Sequence, residues 1–163
     1  MQLTEHFSKE EFERHGPVPQ ESLPLLTVFC QIILEPIRDK WGSLTITSGY
    51  RPPEQNAATG GVKNSYHQYD AEHVAADIMP SLPARPLDLV FDWIRKESGL
   101  PFDKVILECD KATGEPACIH LQYKDSPRRQ AFTGQTHGTG AYTQVAVGPG
   151  LSPNTGLMEA AGK

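Results

Sequence analysis

The sequence contains no apolar run long enough to cross a membrane. A span needs about 18 consecutive apolar residues, and the longest candidate, Leu25 to Leu34, is interrupted by Thr27 and Gln31. Membrane insertion is therefore not expected. Positive charge is short as well: 15 Lys and Arg against 20 Asp and Glu give a net charge of -5. A basic, phosphate-tracking surface is not expected on that balance, nor nucleic acid as a partner. Cysteine is scarce: Cys30, Cys109 and Cys118 make an odd count without Cys-x-x-Cys spacing, so a thiolate zinc knuckle is not expected and free thiols are the default. The opening Met1-Gln2-Leu3-Thr4-Glu5-His6 lacks the basic-then-apolar layout of a signal peptide, which gives an expectation of cytoplasmic accumulation or export by other means. There is no Gly-x-Ser-x-Gly elbow, which leaves Cys118, near His120, as the only nucleophile for a serine or cysteine hydrolase.

What the chain does have is a concentration of ligand chemistry. Between Ser65 and Asp77 lie His67, Asp70, Glu72, His73 and Asp77, followed by the apolar Ile78. Imidazole and carboxylate donors together suit zinc, and three protein ligands plus a water make a catalytic zinc site. His67 and Asp77 supply two donors, and His120 in Cys118-Ile119-His120-Leu121-Gln122-Tyr123 is the candidate third. A polar surface loop is the competing reading of the same residues.

The scaffold reads as one domain, residues 1–130, followed by a low-complexity tail, 131–163. Ser8-Lys9-Glu10-Glu11 is a capping box with Phe7 and Phe12 as a hydrophobic staple, predicting a short helix to about His15. Leu26, Phe29, Ile33, Ile37 and Trp41 recur at helical spacing, with Pro36 as a kink and Gly42 as a stop. Leu44 to Ser48 alternates as a strand, Glu54 to Ala58 forms a turn or two of helix, and Val74 to Met79 is a second strand. Pro86 to Lys96 is a helix, and Phe102 to Glu108 with Ala117 to Tyr123 forms a hairpin. This order predicts an α+β domain, an antiparallel sheet with helices on one side. From Thr133 onward Glu159 and Lys163 are the only Asp, Glu, Lys or Arg residues, and large apolar groups are few, so a flexible or partner-ordered tail is expected. Tyr142 to Val147 alone has strand propensity and is a candidate addition to a sheet edge.

The motifs in order resemble a known family. Leu3-Thr4-Glu5-His6-Phe7 with Glu11-Phe12, Leu34-Glu35-Pro36-Ile37-Arg38, and Ile46-Thr47-Ser48-Gly49-Tyr50-Arg51 come first. Asn56, Gly60-Gly61-Val62, Ser65-Tyr66-His67, Ala75-Ala76-Asp77-Ile78, Phe102-Asp103 and Ile119-His120 follow. Over roughly residues 1–130 the chain resembles the zinc D-Ala-D-Ala carboxypeptidase and L-Ala-D-Glu endopeptidase family of peptidoglycan-cutting enzymes. The likeness is greatest to its small single-domain branch in phages and prophages. The resemblance implies His67, Asp77 and His120 as zinc ligands, and Arg51, Asn56 and Ser65 as substrate contacts. It implies hydrolysis of stem or cross-bridge peptides, acting at the cell wall after release or as a virion component, with the tail as a possible site for a virion or other protein partner. The same sheet-and-zinc arrangement recurs in the hedgehog signalling domain, which is not an active peptidase, so fold alone does not settle activity.

Two departures from the family pattern matter. The gap from His67 to Asp77 is ten residues, longer than the family's usual spacing and without its glycine, with Asp70-Ala71-Glu72-His73 in the extra space. That makes His73 a rival ligand, although in a strand it would lie about 13 Å from Asp77. Many members also carry an acid three residues before the last histidine, where Ala117 stands here. Glu108 is the alternative general base. If the hairpin pairs it with Cys118, Glu108 shares a face with His120; Glu115 falls on the opposite face. A Cys109–Cys118 disulfide would turn Glu108 away. Metal-assisted amide hydrolysis with Glu108 as base and Arg51 at the carbonyl oxygen is the expected activity. A non-catalytic zinc-binding wall or virion protein of the same fold is the alternative.

Overall fold

The computed structural model describes residues 1–81, 86–135 and 142–150. The chain begins with a tight 3-10 turn, Lys9–Phe12, shorter than the helix to His15 expected from the capping box. The box itself forms: the Ser8 backbone N–H donates to Glu11 Oε2 at 2.7 Å. Phe7 and Phe12 are buried, and the Phe12 carbonyl accepts the Tyr50 N–H at 2.9 Å. The preceding residues are clasped to the main helix by Glu35, which accepts from Thr4 Oγ1 at 2.6 Å and from His6 N and Nδ1 at 2.9 and 2.7 Å.

The main helix runs as α1 (Leu23–Phe29), a wide π turn (Cys30–Leu34) and α2 (Glu35–Trp41). The π turn lies directly before Pro36, which has no N–H to donate and whose ring crowds the carbonyl one turn back. The expected kink is thus absorbed as one loosened turn. Gly42 ends the helix with φ 88°, a backbone region open to glycine. The short α3 (Pro53–Ala58) precedes the histidine loop, and α4 (Leu87–Asp92) continues into a second π turn, Trp93–Glu97.

Among the described residues six strands form one sheet: β1 (Leu44–Ser48), β2 (Val74–Pro80), β3 (Lys104–Cys109), β4 (Pro116–Tyr123), β5 (Gln130–Gln135) and β6 (Thr143–Val145), in the order β1-β2-β4-β3-β5-β6. All neighbours are antiparallel except β3 and β5, which are parallel. The fold is α+β with a mostly antiparallel sheet. The sheet extends past residue 130, where the sequence reading ended the domain. Phe132, Ala131 and their neighbours pair along β3, and β6 pairs with β5, so the strand propensity of 142–147 is realised at an edge. The tail residues 151–163 lie outside the described residues.

The two faces of the sheet differ because strand side chains alternate. Val74, Ala76 and Ile78, Val105 and Leu107, Ile119 and Leu121 are buried on one face, against which α1 and α4 pack. Phe29 stacks on Tyr123 at 6.3 Å between ring centroids. The other face carries the row Asp77–His120–Ile106–Phe132, directly opposite one another across β2, β4, β3 and β5. Ser48 pairs with Asp77 at a bulge in β1, a device that commonly re-aims side chains beside a site.

Candidate metal centre

Asp77 and His120 meet because they are paired residues on adjacent antiparallel strands. His67 arrives from a loop that the strand β1 exit holds from below. The Arg51 backbone N–H donates to the His67 carbonyl at 2.8 Å, and His67 Nδ1 donates to the Gly49 carbonyl at 2.7 Å. Gly49 has no room for a side chain: a Cβ would sit 2.6 Å from Phe12 Cα. The N-terminal turn, the Gly49–Arg51 segment and His67 are therefore one braced unit.

Three donor atoms converge. His120 Nδ1 is 2.8 Å from Asp77 Oδ1 and 3.1 Å from His67 Nε2, and His67 Nε2 is 3.3 Å from Asp77 Oδ1. Each ring has its other nitrogen engaged: His67 through Gly49, and His120 Nε2 by donating to Gln122 Oε1 at 3.0 Å. Two imidazole lone pairs and a carboxylate oxygen thus face one point in a buried place. A tetrahedral ion with bonds of about 2.0–2.1 Å spaces its ligands about 3.3 Å apart, close to the triangle observed. The donor set and spacing fit a divalent metal. The surroundings respond to this crowding. Burial pushes His67 below its ordinary pKa against the pull of Asp77. Burial also presses His120 downward, but the hydrogen bond and charge of Asp77, with Glu108 and Gln122, together outweigh it and the net direction is up. Burial alone would raise the Asp77 carboxyl; the two imidazoles reverse this and hold it well below the carboxylate range.

Behind these residues stands a chain of partners. Gln122 Nε2 donates to Asp103 Oδ2 at 3.5 Å, and the fully buried Asp103 takes Arg128 Nε at 2.9 Å and NH2 at 2.7 Å. Such outer partners fix the tautomer and orientation of a ligating imidazole. Arg51 does the same for the carboxylate: its guanidinium donates to Asp77 Oδ2 at 3.4 Å, Ser48 Oγ at 3.2 Å and Thr59 Oγ1 at 3.4 Å.

A cavity of about 380 Å³ opens over the three donors, lined among others by Arg51, Ser65, Lys104, Glu108 and Tyr142. Glu108 pairs with Cys118 in the hairpin, the register that turns it to the His120 face. All three cysteines are free. Tyr142, from the segment before β6, donates to Glu108 Oε1 at 3.3 Å. Burial pushes the Cys118 thiol far up, the opposite of what a thiolate nucleophile needs.

Other sequence candidates fall elsewhere. His73 bonds Asp70 at 3.1 Å and packs on the Tyr66 ring, outside the donor cluster; the long loop turns it away. Asn56, expected at the substrate, does not line the cavity. It is buried, with Nδ2 donating to the Val62 carbonyl at 2.9 Å, and it packs so closely under Gly61 that a Cβ there would meet Asn56 Oδ1 at 2.2 Å. Its place is under the glycine loop. Ser65 lines the cavity and its Oγ accepts the His67 N–H at 3.3 Å. Gln122, Lys104, Arg128 and Tyr142 were not anticipated. The period of two from His120 points to Gln122, and Lys104 faces it across the hairpin; Tyr142 opens the tail stretch with strand propensity, but nothing in the sequence marks it as a partner of Glu108.

A histidine from a loop, with a histidine and an aspartate from one face of a mostly antiparallel sheet, make a site under an open cavity that could hold one metal ion. A family model described as Peptidase M15 matches residues 5–89, more than half of the chain, and the chain belongs to that family. The matched region takes in Arg51, His67 and Asp77 and ends before Glu108 and His120. No curated protein matches the chain. Among the described residues no helix is long and apolar enough to cross a membrane.

Proposed function

We propose that the chain is a zinc metallopeptidase that hydrolyses a peptide bond in peptidoglycan stem or cross-bridge peptides, encoded by a phage or prophage. It would reach the wall on release from the cytoplasm or as part of a virion. The observation that carries the metal reading is the trio itself: His67 Nε2, His120 Nδ1 and Asp77 Oδ1 converge within 3.3 Å, where shared protons or one metal cation can satisfy them. The family supplies the peptidase reading, and the resemblance of the motifs supplies the wall peptide as substrate.

Zinc held by His67, Asp77 and His120 would act as a Lewis acid and bring the pKa of a water near neutrality. Glu108 is the general base: it takes a proton from the attacking water and returns it to the leaving amine. Tyr142 orients the Glu108 carboxylate through its hydroxyl. Arg51, which lines the cavity and braces Asp77, stabilises charge on the substrate carbonyl oxygen or on a nearby carboxylate. Ser65 positions the His67 backbone and offers a hydroxyl to the substrate.

The non-catalytic alternative draws on Ala117, where many members carry an acid. Glu108 lines the cavity and fills that need from the neighbouring strand. Metal analysis paired with release of new amino groups from purified walls separates the two readings. One zinc per chain with hydrolysis supports the peptidase; one zinc without hydrolysis leaves a binding protein.

A further inference from the structure

The cavity has a second polar end that metal chemistry does not use. Lys104 lies two residues before Ile106 on β3, and Glu108 lies two residues after it; Ile106 is the residue paired with His120. At about 3.3 Å per residue, the strand sets Lys104 and Glu108 each roughly 7 Å from the His120 row, on opposite sides. All three side chains line the same cavity. A peptide lying along β3 over the metal donors thus has the proposed base at one end and a cation at the other.

Among the described residues that cation is in no ion pair, although the Asp103 charge acts on it. Arg128, which also lines the cavity, is committed to Asp103 by two hydrogen bonds. Lys104 has no carboxylate within 4.0 Å among the described residues; its ammonium sits 5.2 Å from the centroid of the Phe132 ring. Burial, and then the charge of Arg128, push Lys104 below its ordinary value, so holding this charge in place is unfavourable until an anion arrives. Lys104 and Arg128 against Asp103 leave one positive charge over, in a chain whose net charge is -5.

We propose that Lys104, with Arg128 beside it, forms an anion subsite that takes a carboxylate of the substrate close to the cut bond. The proposal deepens the peptidase reading and rests on it. Wall stem peptides offer two sources of that carboxylate: the C-terminus, and the α-carboxylate of a γ-linked D-Glu. The subsite requires only the shared group.

The test uses the full-length, zinc-loaded chain and three forms of the pentapeptide L-Ala-γ-D-Glu-L-Lys-D-Ala-D-Ala: the free acid, its C-terminal amide, and the form with D-Glu replaced by D-isoglutamine. Dissociation constants are measured for each, with KM and kcat where a bond is cut. Wild type should bind one amidated form about 10-fold or more weakly than the acid, the range of a charge-assisted hydrogen bond, and the affected amide names the carboxylate. Lys104→Gln should lose the same factor on the acid, in KM rather than kcat, show no further loss on that amide, and keep its zinc. Lys104→Glu should prefer the amide. The subsite is overturned if Lys104→Gln discriminates acid from amide as wild type does, if neither amidation changes binding, or if none of the three forms binds. If the Lys104 pattern appears but no bond is cut, the subsite stands and the peptidase reading falls. If peptides are cut with indifference to Lys104 and to amidation, the reverse holds.

Discussion

At the scale of single residues, the trio that could hold a metal was the most legible part of the chain. His67, Asp77 and His120 could be named because imidazole and carboxylate are rare enough, and chemically restricted enough, for their grouping to mean something. What supports them was hidden, since a partner such as Gln122 is recognised only once the strand and its facing direction are known. His67→Ala, Asp77→Ala and His120→Ala should each lose bound zinc, measured by elemental analysis, together with activity. Glu108→Gln should retain zinc and lose about 10²–10⁴ in kcat; a fully active Glu108→Gln removes that residue from the mechanism. Gln122→Ala should keep the fold, seen by circular dichroism, and weaken zinc binding about 10–100-fold in a chelator competition. Unchanged affinity would mean that the Gln122 bond to His120 does not hold the ring.

At the scale of elements, β1 is found where alternation in Leu44 to Ser48 put it, and the apolar stripe from Leu26 to Trp41 is the main helix. The π turns were not legible, because a wide turn leaves the apolar spacing nearly unchanged and only Pro36 hints at one. Asn56 was misplaced for a related reason: its motif position is kept by a contact under the Gly60–Gly61 loop rather than by a ligand. The element most exposed to a single change is the braced corner at the end of β1. Gly49→Ala puts a methyl against the Phe12 backbone, which cannot yield as a flexible side chain can. A loss of about 1–3 kcal/mol is expected from thermal or urea unfolding, with weaker zinc binding because the Gly49 carbonyl holds His67. A neutral Gly49→Ala would show that the N-terminal turn is free to shift.

For the whole molecule, the sheet proved larger than the sequence suggested. Strands β5 and β6 lie beyond residue 130 in a stretch poor in large apolar groups, and they join by pairing at the sheet edge more than by filling the core. The parallel β3–β5 pairing is a long-range feature with no local signature. Asp103 and Arg128 tie the strand start of β3 to the approach to β5, since the Arg128 backbone N–H also donates to Asp103 at 3.0 Å. Burial alone would raise the Asp103 carboxyl, but the bonds from Arg128 hold it below its ordinary 3.8. A carboxyl whose pKa is lower in the folded chain contributes stability that is present above 3.8 and is lost as pH falls through its folded pKa. Asp103→Asn should therefore be less stable than wild type at pH 7 by urea unfolding, and the gap should narrow in acid below the ordinary carboxylate pKa; a gap independent of pH would assign the effect to packing. The most direct test of the proposed activity is mass spectrometry of purified wall peptides after incubation with the chain, zinc-loaded and chelated. Products in which one peptide bond has gained one water should form only with the metal present. An unchanged peptide pattern from a chain carrying one equivalent of zinc would contradict the peptidase reading.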